Sequence, residues 1–250
     1  MIRRWLKGLL AGLFVALAGV GLAISPLGTD LEQRVGLSWL FDRRGPVEPP
    51  VEVAVVAMDS RTGEQLGLPV LPRDWPRSMH AQLVDALVAR GAEVIVFDVH
   101  FGRDKDAADD QALVDAVARA GRVVLVELLT GKRQPISDPQ GRHVGMVWSE
   151  ERVPPFAGLE AAAAGLATFP LPKEGASVSQ LWVFKQSTDS APTLPAVALQ
   201  LYAREQTPAV VDLARAVAPD AFTGLPDVAQ AFADPHVLRN FMRAMRKGYQ

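Results

Sequence analysis

Between Gly8 and Thr29 lie 22 residues without a single charge, and no other feature of the 250-residue chain constrains its fold as strongly. A helix of about 20 mostly apolar residues is what crosses a bilayer's hydrocarbon core. Leu9, Leu10, Leu13, Phe14, Val15, Leu17, Val20, Leu22 and Ile24 would surround such a helix and leave no polar face, so the segment does not read as an amphipathic surface helix. Pro26 and Gly28 then supply a stop. Arg3, Arg4 and Lys7 precede the run, and no acid occurs before Asp30. By the positive-inside rule the N-terminus is cytoplasmic and the bulk of the chain lies outside the cytoplasm, as in a single-pass protein of the inner membrane. A cleaved signal peptide is the competing reading, with Ala16-Leu17-Ala18 as its small-x-small site; the run continues past that site through Ile24, which favours an uncleaved anchor in contact with the bilayer over residues 8–29. A buried core helix is the third reading.

Composition removes several function classes. No cysteine is present, which excludes disulfides, thiolate catalysis and zinc–cysteine sites. A net charge of -2 and a pI near 6.1 give no global attraction for nucleic acid. With 49% apolar and 22% charged residues the chain can bury a sizeable core.

The expected fold class is α/β, three-layered, with a mainly parallel sheet flanked by helices and one transmembrane helix before it. The basic flank covers 1–7, the anchor 8–29, a juxtamembrane link with a short helix 30–50, the main domain 51–205 and a helical C-terminal segment 206–250. The apolar run Val51–Met58 reads as a strand buried on both faces and closed by Asp59. A long loop over 60–76 leads to a helix from Arg77 to Arg90, with Gly91 at its C-terminal cap. Val94–Phe97 is a second strand ending at Asp98, and an acidic stretch from Asp104 to Asp110 opens a helix that Gly121 ends. Val123–Val126 is the third strand. Strand, helix, strand, helix, strand at this spacing predicts right-handed crossovers and a parallel sheet. Further on, 131–156 reads as loop with a short strand at 143–148, 157–167 as helix and 181–184 as strand. Helices are expected at 193–204, 208–218 and 226–233.

Ligands of an open parallel sheet sit beyond the carboxyl ends of its strands. Asp59 and Asp98 both arrive there, with His100 beside Asp98 and Glu127 near the end of the third strand. These residues are candidates for binding a polar ligand; the alternative is that each acid only satisfies backbone N–H groups at its own junction. Trp75 would cover this edge, and Arg77 would pair with Asp98 or Asp59, which makes a metal unnecessary, so no metal and no cofactor is expected. The acids at 104–110 lack the glycine and closing glutamate of an EF-hand and read as a helix start. No nucleophile elbow, P-loop, zincin or dinucleotide motif occurs, and His80, His100, His143 and His236 lack ligand spacing. Arg239, Arg243, Arg246 and Lys247 lie along one side of a C-terminal helix, opposite Leu238, Phe241, Met242 and Met245, either as a membrane-surface helix or as a solvated helix end.

The stretch Pro72-Arg73-Asp74-Trp75-Pro76-Arg77-Ser78-Met79-His80-Ala81, followed by Gly91-Ala92 and Val94-Ile95-Val96-Phe97-Asp98-Val99-His100-Phe101, resembles the CHASE type 2 domain. Asp59, Trp75, Pro76, Arg77, Phe97, Asp98 and Phe101 match that family's pattern, as does Asp110-Gln111-Ala112-Leu113. The match is strongest over 51–128 and extends loosely to 204; His143-Val144-Gly145 and Gly165-Leu166-Ala167 both answer to a later His/Gly-rich segment. The family's glycine-alanine-threonine strand end and later spanning helices are not apparent, so the chain reads as a fragment, a truncated gene or a divergent member. The resemblance implies a non-catalytic extracytoplasmic sensor of a bacterial receptor, an unidentified ligand, a homodimer, and signalling to a cytoplasmic cyclase or kinase outside this chain. An exported α/β hydrolase with a metal at Asp59, Asp98 and His100, or a structural envelope protein, are the rivals.

Overall fold

The computed structural model describes residues 2–172, 178, 180–185, 191–227 and 234–248. It comprises two compact units, Met1–Val56 with Leu171–Leu181, and Ala57–Pro170 with Trp182–Gln250.

In the first unit α1 runs from Ile2 to Ala23. Pro26 does not simply stop it. The Ser25 hydroxyl accepts the Gly28 N–H at 3.1 Å, and Pro26 opens a new helix, α2 (Pro26–Leu31), where its missing donor is harmless. The path continues through a π-helical turn, Glu32–Gly36, into α3 (Leu37–Arg44), the expected link helix. Gly28 is required by close approach: a Cβ there would lie 1.9 Å from the Leu22 carbonyl oxygen. The expected span is therefore broken at Ile24–Ser25. Among the described residues no single helix is long and apolar enough to cross a membrane, whereas Lys7–Ala23 and Pro26–Arg44, bent by 70°, are so as a pair. Phe14 is 73% exposed, and the other described side chains of α1 are exposed with it, which overturns the buried-core-helix reading.

Val51–Met58 is not a strand. It is irregular, with Val51 97% exposed, and its start is drawn into a turn by the Val53 N–H bonding the Pro50 carbonyl at 3.3 Å. Its apolar pattern suits a strand between two neighbours, but no strand lies alongside it among the described residues.

The second unit is mixed α/β. Asp59 opens a helix, α4 (Ser60–Leu66), in place of the expected loop, and Gly67 ends it in the left-handed region at φ 66°. After a 3-10 turn at Pro72–Asp74 comes α5 (Arg77–Ala89), then β1 (Ile95–Phe97), α6 (Ala107–Ala120) and β2 (Val123–Ser137). The strand β2 is far longer than expected, and 131–156 is no loop. β3 (His143–Val153) pairs with it antiparallel from Leu128–Val153 out to Ser137–His143, forming a two-stranded ribbon. α7 (Ala157–Ala162) ends early, because Gly165–Thr168 becomes β4, a glycine-alanine-threonine strand parallel to β2. A short pair, β5 (Phe184–Lys185) and β6 (Ala191–Pro192), precedes α8 (Leu194–Tyr202) and α9 (Thr207–Val217). The expected helix at 226–233 falls almost wholly outside the described residues. α10 (Pro235–Gly248) is the C-terminal helix.

The parallel part of the sheet runs β1, β2, β4. Period-2 alternation sends its side chains to two cores. Ile95, Phe97, Val123, Leu125 and Leu166 face Val84 of α5, Leu113 and Val117 of α6 and Leu159 of α7. Val124, Val126 and Ala167 face Leu194, Val197 and Leu201 of α8. A third cluster joins Val211 of α9, Phe222, and Phe241, Met242 and Ala244 of α10. The apolar side of α10 is thereby committed to a protein core, which corrects the membrane-surface reading of that helix, while Arg243 on its basic side is exposed.

Candidate ligand site at the carboxyl edge of the sheet

Asp59 ends no strand; it is the N-cap of α4. Its carboxylate accepts the Thr62 N–H and the Thr62 hydroxyl, each at 2.8 Å. These bonds, the backbone one foremost, hold its pKa below the usual carboxylate range. For Asp59 the junction reading holds. Trp75 is 5% exposed, yet its indole N–H donates to the Pro69 carbonyl at 2.6 Å and its ring lies over Gly63. It closes the α4 loop.

Arg77 begins α5 and is buried. Its partner is Asp110, with Nη1 at 2.5 Å from Oδ1, and neither Asp59 nor Asp98. Nη2 donates to the Arg103 carbonyl, and the guanidinium carbon lies 4.5 Å from the centroid of the Phe156 ring. The second oxygen of Asp110 accepts the Lys105 N–H at 2.8 Å. The reason is positional: Asp110 shares the buried stripe of α6 with Leu113 and Val117, and α6 packs beside α5. Asp59 is already used as a cap, and Asp98 is exposed. One turn along α5, His80 is 4% exposed between Phe97 and Phe101, with ring centroids 6.3 and 5.3 Å away. Its Nδ1 lies 3.2 Å from the Pro76 carbonyl, an acceptor, so that nitrogen carries the proton. Burial above all lowers its pKa, the charges of Lys105 and Arg77 adding to the effect against the opposing Pro76 bond.

The carboxyl ends of the three parallel strands bring Asp98, Glu127 and Thr168 to one edge: Phe97 sits opposite Leu125, and Glu127 opposite Thr168. Glu127 is buried and accepts from Arg152 Nη1 at 3.2 Å. The Thr168 hydroxyl is fully buried and has no partner among the described residues. Desolvation raises the pKa of Asp98, which has no ion-pair partner among the described residues. His100 Nε2 lies 3.1 and 3.3 Å from the Val153 and Pro154 carbonyls, tying the loop after β1 to the end of β3. The structure therefore gathers Glu127, Arg152 and Thr168 on one face of this edge, where alternation puts Asp98 on the other face, and it sets Asp59, Trp75 and Arg77 apart from them. The first group offers both charges and a hydroxyl to a small polar ligand. Among the described residues no three His, Asp or Glu side chains group as metal ligands.

Sequence reasoning missed the roles of Asp110, Arg152, His80 and Thr168. For Asp110 a signal existed, because an acid on the apolar stripe of a helix implies a buried cation nearby. Arg152 gave none, since it reaches Glu127 only through the ribbon's register.

The family model described as CHASE2 domain matches residues 11–246. No curated protein and no solved structure matches the chain. The match takes in nearly the whole chain, including the Trp75–Arg77 loop, the carboxyl edge, the second half of α1 and most of α10, and the chain belongs to the CHASE2 domain family.

Proposed function

We propose that this chain is the sensing part of a membrane receptor, anchored through its apolar N-terminal helices, with its second unit outside the cytoplasm, relaying to a cyclase or kinase module outside this chain. The observation that carries this reading is the CHASE2 match over residues 11–246, since CHASE2 is a family of sensor domains, typically the extracytoplasmic parts of membrane receptors. The basic flank before an uncharged run, and the exposure of that run in α1, support anchoring with the N-terminus inside. The pair of buried Glu127 with half-buried Arg152, beside a Thr168 hydroxyl that has no partner among the described residues, supports a small polar ligand at the sheet's carboxyl edge.

Topology tests this reading directly. Alkaline phosphatase fused after Gln250 should be active and β-galactosidase at the same point inactive; the reverse pattern overturns it. A mature N-terminus at Gly19 would show instead that the apolar run is removed after export.

A further inference from the structure

Glu127 and Thr168 are register partners on neighbouring parallel strands, so their side chains stand on one face of the sheet. Both residues are buried, Glu127 at 6% exposure and Thr168 at 0%, and neither is satisfied as buried polar groups ordinarily are. Thr168 Oγ1 has no hydrogen-bond partner among the described residues. Among those residues Glu127 receives a single bond, from Arg152 Nη1 at 3.2 Å, where a charge-assisted pair closes to about 2.7–2.9 Å and is commonly bidentate. Arg152 lies on β3 opposite Leu129, the next residue of β2 on the Glu127 face, and its half-buried side chain is the wet side of the group. Two polar neighbours are already taken. Thr193, which bridges to Thr168 across the other edge of β4, donates its hydroxyl to the Trp182 carbonyl. Glu150, one alternation before Arg152 on β3, pairs with Lys185 at 3.2 Å. Two residues inward along each strand, the same face carries Leu125 and Leu166 of the core.

We infer that Glu127, Thr168 and Arg152 bind a small zwitterion, an α-amino acid with a short side chain, its ammonium at Glu127 and the Thr168 hydroxyl and its carboxylate at Arg152. The signs of the charges select this class. An anion that draws Arg152 away leaves the charge of Glu127 buried and unpaired, and a cation at Glu127 leaves Arg152 without its carboxylate. Either loss is costly for a group taken out of water. A molecule that carries both charges replaces one long ion pair with two and leaves neither residue alone. Its ammonium has three N–H donors, and the carboxylate and hydroxyl on the two adjacent strands both have acceptor capacity free for them. Leu125 and Leu166 close the way into the core, so the ligand's side chain is short or turns outward past Arg152. This assignment rests on the reading of the edge as a ligand site and adds the class of ligand to it.

The test is equilibrium dialysis of the full chain in detergent micelles against radiolabelled glycine, L-alanine and L-serine, with labelled acetate and methylammonium as ligands of one charge each. Saturable binding of at least one amino acid is expected, with both single-charge ions about tenfold weaker or more. Thr168→Val keeps the side-chain shape and removes the hydroxyl. It should weaken amino-acid binding about three- to tenfold, the worth of one hydrogen bond, and leave the melting temperature at or above that of the parent, because the hydroxyl has no protein partner to lose. Acetate or methylammonium bound as tightly as the amino acids, and weakened by Thr168→Val, would overturn the zwitterion while the edge stays a ligand site. No binding of any amino acid, binding undiminished in Thr168→Val, or a Thr168→Val protein that melts well below the parent because the hydroxyl holds a structural water, would each overturn the inference. The topology result is independent of all of these.

Discussion

Arg77 takes part in an ion pair, a carbonyl bond and a stacking contact within one buried spot, and each joins a different segment to α5. Removing one member of a buried pair leaves the other charge uncompensated, which costs about 3–5 kcal/mol. Arg77→Ala is accordingly expected to lower the melting temperature by about 6–20 °C. A double variant, Arg77→Met with Asp110→Leu, should recover much of that loss, because a well-packed apolar pair removes both charges together. Thermal unfolding of the three proteins decides it; a double variant as unstable as Arg77→Ala would show that the loss lies elsewhere. His80 makes the second residue-scale prediction. Its folded pKa lies below the unfolded value near 6.5, so the unfolded chain binds the proton more readily. The stability this confers is complete above about pH 6.5 and falls as the pH drops toward the folded pKa. Denaturation midpoints at pH 7.5 and 5.5 should thus differ more in the parent than in His80→Gln. Equal differences would rule His80 out as the source.

At the scale of elements, β4 and α8 meet at Gly165, where a Cβ would lie 2.7 Å from Val197 Cγ1 in a fully buried layer. Gly165→Ala should therefore destabilise the protein by about 1–3 kcal/mol through overpacking. Combined with Val197→Ala, whose removed methyl groups make room, it should cost less than the two single changes added together. Additive costs in a double-mutant cycle would mean that the clash is relieved another way. The elements that were legible in the sequence are those whose periodicity and caps agree: α5, β1 and the start of β2 lie within a residue or so of expectation, and Gly121 ends α6 as expected. Val51–Met58 misled because a continuous apolar run specifies burial without specifying a neighbour. Of the ribbon only the strand expected at 143–148 was legible, where Val144, Met146 and Trp148 alternate; the outer half of β2, exposed on both faces, has no apolar alternation to announce it. α4 had a local signal in Asp59 three residues before Thr62, an N-cap overlooked among the glycines and prolines that follow.

For the molecule as a whole, the helix–strand order from α5 to the start of β2 was readable because element spacing is a local consequence of chain connectivity. The candidate site was readable only in part. Asp98 and Glu127 follow from strand ends, but Arg152 and Thr168 arrive from segments whose strand character the sequence hid. The long strand β2 carries a mechanical consequence. It leaves the parallel sheet at Glu127 and continues ten residues to Ser137 without a break, a lever about 34 Å long at strand rise. Arg152 grips that lever at its fulcrum. A tilt of about 5° where Glu127 and Arg152 meet would carry the far end through about 3 Å, so a small displacement at the fulcrum is amplified at the ribbon's tip.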